Sequence, residues 1–542
     1  MFLPVTPIEV QLEVLSTPSN KAHGLYSCPT YLLKLGSDVV SIPLANLINL
    51  SISQGVYPAK LKISKIVAIF KSDDPTDPNN YRPISLLSIF NRIFEKLMYA
   101  RMISFIEKHD LLYNAQYGFR KLHSTEHAIL DIVNAIQSNM NNRMFSCGIF
   151  IDLKKAFDTV DHSILLQKLY HYGFRGIIND WFRSYLTDRF QTTEIQNHIS
   201  QKNSTDHGVP QGSVLGPLLF LLYMNDIHFA SEKLSFYLFA DDTNMLYSDK
   251  NLTSLERVVN LELHKVSDWL TSNRLTLNIC KSNYVIFRPY QKTLSHPVQI
   301  MMYDNEKNCS AALESQKYVK YLGLLIDSSL TWKNHIDQIA LKISKTVGLL
   351  AKLRHSVPRT TLLNIYRSLI LPYVSYGLTV WGLASKCYIN KILILQKRAL
   401  RFIYFSQLKE HAVPLFIEAD SLPVNFLHYE AVCCRMHDIQ NEIAPKNILD
   451  LFTHTSSIHT YRTRSSTSNE FYIKQSRLEI QKNAFSRVGA KVWNEIPVSV
   501  RNLNKKKFKQ KLHSILMNIL KESDSYLDFH QISQRIQNLK SC

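Results

Sequence analysis

The stretch FYLFADDTNMLY, residues 236–247, restricts the possible folds more than any other part of the chain. Phe236, Leu238 and Ala240 alternate with Tyr237 and Phe239, and an aromatic-rich alternation of this kind forms a strand. Thr243 to Tyr247 resume the pattern, so Asp241 and Asp242 are expected in a tight turn between two strands. Carboxylates are depleted from strands and costly to bury unpaired. A negative pair held there calls for a metal cation, unless the turn is merely polar.

Partners for the pair lie on both sides of it. In SCGIFIDLKKAFDTVDH, residues 146–162, a short apolar strand runs into Asp152, and the pattern then turns helical through Leu153, Ala156, Phe157 and Val160. Asp152 is therefore expected at the C-terminal end of a strand, a usual place for a ligand-binding carboxylate. Asp158 and Asp161 read as ordinary acids near a helix start. HGVPQGSVLGPLLFLLYMND, residues 207–226, opens with a loop that Gly208, Pro210, Gly212 and Gly216 make permissive, and continues as a buried helix. Gln211 is the one long amide in that loop, able to donate and to accept. NRLTLNICKSNYVIF sets Lys281 in a turn, and KYVKYLGLLIDSSLTW places Tyr321, Leu322 and Gly323 in a hairpin.

A chain of 542 residues has room for three or four domains, and 45% hydrophobic and 20% charged residues are those of a globular protein. The 8 cysteines show no C-x2-C pair, which excludes a zinc ribbon or knuckle and fits a reduced intracellular protein. The N-terminus has no basic region followed by an apolar core, and no apolar run spans a bilayer, so a soluble protein with no membrane partner is expected. The net charge of +19 is concentrated. Residues 331–410 carry 13 Lys and Arg against Asp337 and Glu410, and residues 461–542 carry 16 against 6 acids. The rest of the chain is nearly neutral. Two such regions point to a polyanion, with nucleic acid favoured over a membrane surface.

Taken in order, these segments resemble the reverse transcriptase family, most closely the polymerases of non-LTR (LINE-type, jockey-like) retrotransposons. FIDLKKAFD, GVPQGSVLGPLLF, FADD, LTLNICKS and YLG resemble its five palm motifs. IVAIFKSDDPTDPNNYRPISLLSIFNRIFEKLM and NAQYGFRKLHSTEHAI resemble its fingers, and ILPYVSYGLTVWG, LQKRALRFI and VGAKVWNEIPVSVR its C-terminal tail. The resemblance covers roughly residues 40–515. It implies an α+β right-hand polymerase with an antiparallel palm sheet. The expected divisions are an N-terminal extension over 1–55, fingers over 56–145, palm over 146–330, a basic thumb over 331–410 and a mostly helical basic region over 411–542.

The implied reaction is RNA-directed DNA synthesis from dNTPs on an RNA template and a DNA primer, giving an RNA–DNA hybrid. Two Mg2+ ions about 4 Å apart, with Mn2+ as a substitute, clamp the attacking and leaving oxygens in such chemistry. Asp152 and Asp241 are the expected ligands, with Asp242 in support and the Leu153 carbonyl completing one sphere. By the resemblance Phe157 is the gate beneath the sugar that excludes a 2′-hydroxyl, or else a core aromatic. Lys71 and Arg82, flanking SDDPTDPNN, are expected to grip the triphosphate, plain surface charge being the alternative. Arg120 is expected at the template or the nucleotide, and Gln211 and Gly212 against the nascent base pair. Lys281 is expected either to protonate the leaving pyrophosphate or to stabilise its charge.

Tyr321 and Gly323 are expected beside the template and primer. HIDQIALKISKTVGLLAKL puts Ile336, Ile339, Ile343, Val347 and Leu350 on one helical face, leaving Lys342, Lys345 and Lys352 to meet a duplex. LNKKKFKQKLHSIL is expected to grip RNA or to be a solvated helix. Trp381, Tyr404 and Trp493 are expected in the core, stacking on bases being the alternative. The resemblance implies a place in cytoplasmic ribonucleoprotein and the nucleus. The family's endonuclease is not expected in the roughly 50 residues before the fingers, and STPSNKAHGLYSCP departs from its usual glycine-plus-acid pattern. A silent or co-opted nucleic-acid-binding copy and a group II intron maturase-like protein are the alternatives.

Overall fold

Every residue of FSCGIFI is buried, as a strand covered on both faces requires. This strand, β3 (Phe145–Ile151), is the centre of the computed structural model. The structure describes residues 3–541 apart from 21, 23, 26, 27, 72, 73, 196, 197, 305, 306, 308 and 459–469. Ser72 and Asp73 of the expected fingers loop lie outside the described residues, as do Lys21, His23, Tyr26 and Ser27 of the atypical N-terminal segment.

Strand β3 pairs antiparallel with β8 (Asp242–Asp249) on one side and with β9 (Asn283–Phe287) on the other. Strand β7 (Ser235–Phe239) extends the sheet beyond β8, and the short β12 (Glu314–Ser315) joins β9 in parallel. Alternation sends the side chains into two cores. Cys147, Ile149, Ile151, Phe236, Met245 and Ile286 face one core, which the helices Ile89–Lys108, Leu215–Met224 and Leu252–Ser272 complete. Phe150, Tyr237, Leu246, Val285 and Phe287 face the other, which the helix Thr125–Asn141 shares with the helices from Lys333 onward. The fold class is α+β. No helix among the described residues is long and apolar enough to cross a membrane.

A second sheet stands beside the first. Strands β1 (Ile63–Phe70) and β2 (Tyr81–Leu86) form the hairpin expected around SDDPTDPNN, and β4 (Arg189–Ile195) pairs in parallel with β1. Strands β4 and β6 (Asn203–Thr205) fall within the expected palm segment; here they extend the hairpin sheet, β6 pairing with β4. Two expectations from periodicity hold closely. Ile336, Ile339, Ile343, Val347 and Leu350 are buried on the helix Lys333–Leu353, and the helix Leu215–Met224 is buried at every position but Pro217. One needs correcting. The chain after Asp152 does not enter a helix; the helix His162–His171 begins ten residues later, with Asp161 as its N-cap. Neighbouring segments occupy the backbone in between. Lys154 N–H donates to Thr276 O, while the carbonyls of Phe157 and Val160 accept from Val209 and Gly208. Asp158 and Asp161 are thus not helix-interior acids, and Asp161 is paired with Arg274 at 2.5 Å.

Candidate active site

Strand β7 ends at Phe239 and β8 begins at Asp242, its partner in the ladder, so Ala240 and Asp241 form a two-residue turn. Ala240 takes φ +57°, a left-handed conformation that costs a non-glycine residue about 1 kcal/mol or more. Ile151 lies opposite Thr243. The next residue on each strand is an aspartate, so Asp152 and Asp242 continue the register at the same end of the sheet. Asp152 is fixed by the segment 277–282. Asn278 donates its backbone N–H to Asp152 O and its Nδ2 to Asp152 Oδ2, both at 2.8 Å, and Asp152 N–H donates to Ser282 Oγ at 3.1 Å.

The carboxylates disturb one another. Asp241 and Asp242 are open to solvent, yet the surrounding cleft removes part of their hydration. That loss raises the Asp241 carboxyl above its usual range, and Asp152 adds to the rise while Lys71 and Arg82 oppose it. The Asp242 carboxyl is pushed up to about 6, first by lost hydration and then by the charges of Asp241 and Asp152. Lys71 and Arg82 are exposed, one following β1 and the other on β2 opposite Ile69. The hairpin sheet thus brings two cations within electrostatic reach of Asp241.

The glycine-rich loop lies between the two sheets. Gly212 takes φ +112°, and a Cβ there would stand 2.7 Å from Ser85 O, so only glycine lets the loop meet β2. Gln211 accepts at its carbonyl from Ser85 N–H, and its side-chain amide donates to Asp158 Oδ1 at 2.9 Å. Phe157 is half-buried, stacked on Phe220 at 4.3 Å between ring centroids, with Phe119 edge-on at 6.3 Å.

Other expected residues sit as follows. Lys281 is exposed on the short 3-10 turn that follows Asn278. Arg120 is half-buried and donates from Nη1 to the carbonyls of Tyr113 and Gln116, at 2.8 and 3.3 Å, which ties up one end of its guanidinium. Leu153 bridges to Leu277. Gly323 is exposed at the tip of the hairpin formed by β13 (Tyr318–Tyr321) and β14 (Leu324–Asp327). Tyr321 is a correction. Expected beside nucleic acid, it is only 2% exposed and packs on Phe150, because it faces inward in the hairpin's alternation. Lys342, Lys345 and Lys352 are exposed on the outer face of their helix. Trp381 and Trp493 are core residues and Tyr404 is half-buried.

Two further residues, neither of them charged, carry the site. Asn278 holds Asp152, and Gln116 holds the turn, its Oε1 accepting from Ala240 N–H at 3.1 Å and Gly118 N–H at 2.9 Å. Both are amides within quoted motifs, and the carboxamide's ability to bind backbone was the available signal.

Asp152, Asp241 and Asp242 supply the hard carboxylate oxygens that a divalent cation prefers, and their mutual repulsion is what such a cation relieves. The donor chemistry fits. The protein alone does not complete the cage: among the described residues no three His, Cys, Asp or Glu side chains group closely enough to hold an ion. Ions of the Mg2+ type commonly take one or two carboxylates and complete their shell with water and substrate phosphates.

Residues 69–326 match the family model for reverse transcriptase (RNA-dependent DNA polymerase). The chain belongs to the reverse transcriptases of the non-LTR retrotransposon kind. It is 30% identical over 418 residues to the RNA-directed DNA polymerase from mobile element jockey of Drosophila melanogaster, covering 74% of this chain and 44% of that one. From the same organism, the probable RNA-directed DNA polymerase from transposon X-element is 28% identical over 420 residues, with 74% and 44% covered. The one from transposon BS is 30% identical over 423 residues, with 74% and 45% covered. The chain therefore spans less than half the length of these relatives.

Proposed function

We propose that this chain is an RNA-directed DNA polymerase that copies RNA into cDNA by two-metal nucleotidyl transfer. The observation that carries this reading is a set of three carboxylates at one end of the central sheet, with Lys71 and Arg82 acting on Asp241 from the neighbouring hairpin. In this reading the hairpin sheet, with β4 and β6 added, is the fingers, the central sheet is the palm, and the helix Lys333–Leu353 begins the thumb.

Asp152 and Asp241, with Asp242 beside them, would hold two Mg2+ ions jointly with substrate phosphate oxygens. Bound there, the ions supply Lewis-acid stabilisation of the charge that develops on the reacting oxygens. Arg82 offers its fork and Lys71 its point charge to the incoming triphosphate. Asn278 keeps Asp152 aimed, and Gln116 keeps the turn closed. Phe157, backed by Phe220, forms a rigid wall beneath the sugar against a 2′-hydroxyl. The Gln211–Gly212 loop approaches the nascent base pair, and Lys281 meets the departing pyrophosphate as acid or as counter-charge. Arg120, Gly323, Lys342, Lys345 and Lys352 border the path of template and primer; Tyr321 supports it from the core. The reading implies work in cytoplasmic ribonucleoprotein and in the nucleus.

The test is primer extension on poly(rA)–oligo(dT) with Mg2+, comparing the intact chain with Asp241→Asn. Extension with dTTP and not UTP, abolished by the substitution, is the expected result. A chain that binds the hybrid and never extends it would be a binding remnant, and the polymerase reading would fall.

A further inference from the structure

The aspartate turn is strained at Ala240, and strain of this kind persists only where the surroundings fix it. The segment Ala115–Gly118 does the fixing. It runs beside β7, with Tyr117 N–H donating to Leu238 O at 2.8 Å and Leu238 N–H donating to Ala115 O at 2.9 Å. Gln116 takes the Ala240 N–H. Gly118 lies so near the turn that a Cβ on it would stand 2.4 Å from Ala240 N. No longer side chain fits between them.

What holds this segment in turn is not part of the central sheet. Tyr117 is 1% exposed and its hydroxyl donates to Asp131 Oδ2 at 2.5 Å. Asp131 lies on the helix Thr125–Asn141, and its Oδ2 also accepts from Asn447 Nδ2 at 3.2 Å. Asn447 belongs to the short helix Lys446–Leu449 in the C-terminal region. The same region grips the Thr125–Asn141 helix at both ends. Arg435 pairs with Glu126 and reaches His127 at 3.0 Å, and Arg477 donates to Asn141 O at 3.1 Å; Thr379, from the segment before this region, also donates to Glu126.

We infer that the C-terminal helical region positions the aspartate turn, through a relay from Asn447 to Asp131 to Tyr117 and along the paired backbone to Ala240. Asp131 is the joint, because a single carboxylate oxygen accepts from both sides. Tyr117, Asp131 and Asn447 are positioning residues, none of which meets substrate. A phenylalanine at 117 would fill the same volume, so the hydroxyl's contribution is the link itself. The catalytic consequence rests on the polymerase reading; the mechanical one does not.

The experiment uses the full chain as wild type, Tyr117→Phe, Asn447→Ala and the double variant. Amide hydrogen exchange of the 236–243 segment is followed by mass spectrometry. Each single variant is expected to exchange there about tenfold faster, the effect of losing one hydrogen bond to a charged acceptor. The double variant should be no faster than the faster single, since both break one chain of contacts. Ile519→Val, a core change distant in sequence from the relay, controls for general loss of stability and should leave that segment's exchange unchanged. In primer extension, kcat should fall by a similar factor with the KM for dTTP retained. Unchanged exchange in the single variants, or effects that add in the double, would overturn the relay. A wild type that never extends primer would overturn the polymerase reading while exchange still decides the relay.

Discussion

The Asp242 carboxyl holds its proton up to about 6 in the folded chain, against an ordinary value of 3.8. The folded state therefore binds the proton more tightly than the unfolded state, and stability falls as pH rises from about 4 to about 6. Above that window the deficit is constant. Asp242→Asn removes it, so the urea midpoint of the metal-free protein should rise at pH 7.5 and stay unchanged near pH 4. Allowing for solvent screening at an open site, the gain is about 1 kcal/mol. In the proposed polymerase reading Mg2+ would compete with the proton for the same oxygens, so the acid limb of primer extension should begin near pH 6 at low Mg2+ and move to lower pH as Mg2+ rises. A limb indifferent to Mg2+ would remove Asp242 from the metal site. The three aspartates stood out in the sequence because an acid at the end of an apolar strand is costly without a partner. Gln116 and Asn278 did not, because an amide in a loop looks the same whether it holds a neighbouring backbone or only water.

The helix Lys333–Leu353 has one face buried in the core and the other lined with lysine, and the two faces should respond to different measurements. Lys342, Lys345 and Lys352 are exposed; of these, Lys342 stands over the Tyr373 ring at 5.2 Å. Changing all three to glutamine should leave the melting temperature within error of wild type. It should weaken hybrid binding at low salt and lower the slope of log K against log salt by about 3, the value for three lost phosphate contacts on a duplex. An unchanged slope would move the duplex to another surface. This helix was legible because its apolar stripe, Ile336, Ile339, Ile343, Val347 and Leu350, is buried at every one of those positions. The segment after Asp152 shows where period fails. Leu153, Ala156, Phe157 and Val160 have helical spacing and three of them are buried, yet the segment makes only a single turn closed on Lys155 O, while Lys154, Phe157 and Val160 bond to Thr276, Val209 and Gly208. Those partners are distant in sequence, so no local pattern announces them.

At the scale of the whole molecule, division into consecutive segments misleads in the same way. Strands β4 and β6 fall inside the palm segment by order and join the hairpin sheet, β4 through a parallel pairing with β1. The region 411–542 reads as a separate basic tail. Instead Trp493, Phe508 and Leu516 share one continuous core with Ile343, Trp381, Phe150 and Tyr237. A core of this kind cannot be cut at a segment boundary. Ending the chain at Glu410 removes the inner faces of the helices Val424–Gln440, Phe485–Glu495 and Lys505–Ser523 and leaves their partners in water. Each large side chain so exposed forfeits roughly 1.5–3 kcal/mol, and a few such losses consume the whole stability of a domain. The chain 1–410 should therefore be insoluble, or bind the dye ANS strongly and lack protection at residues 125–141, while the full chain unfolds cooperatively. A soluble 1–410 chain that extends primer at the wild-type rate would show that the C-terminal region is an appendage rather than half of the core that stands behind the catalytic sheet.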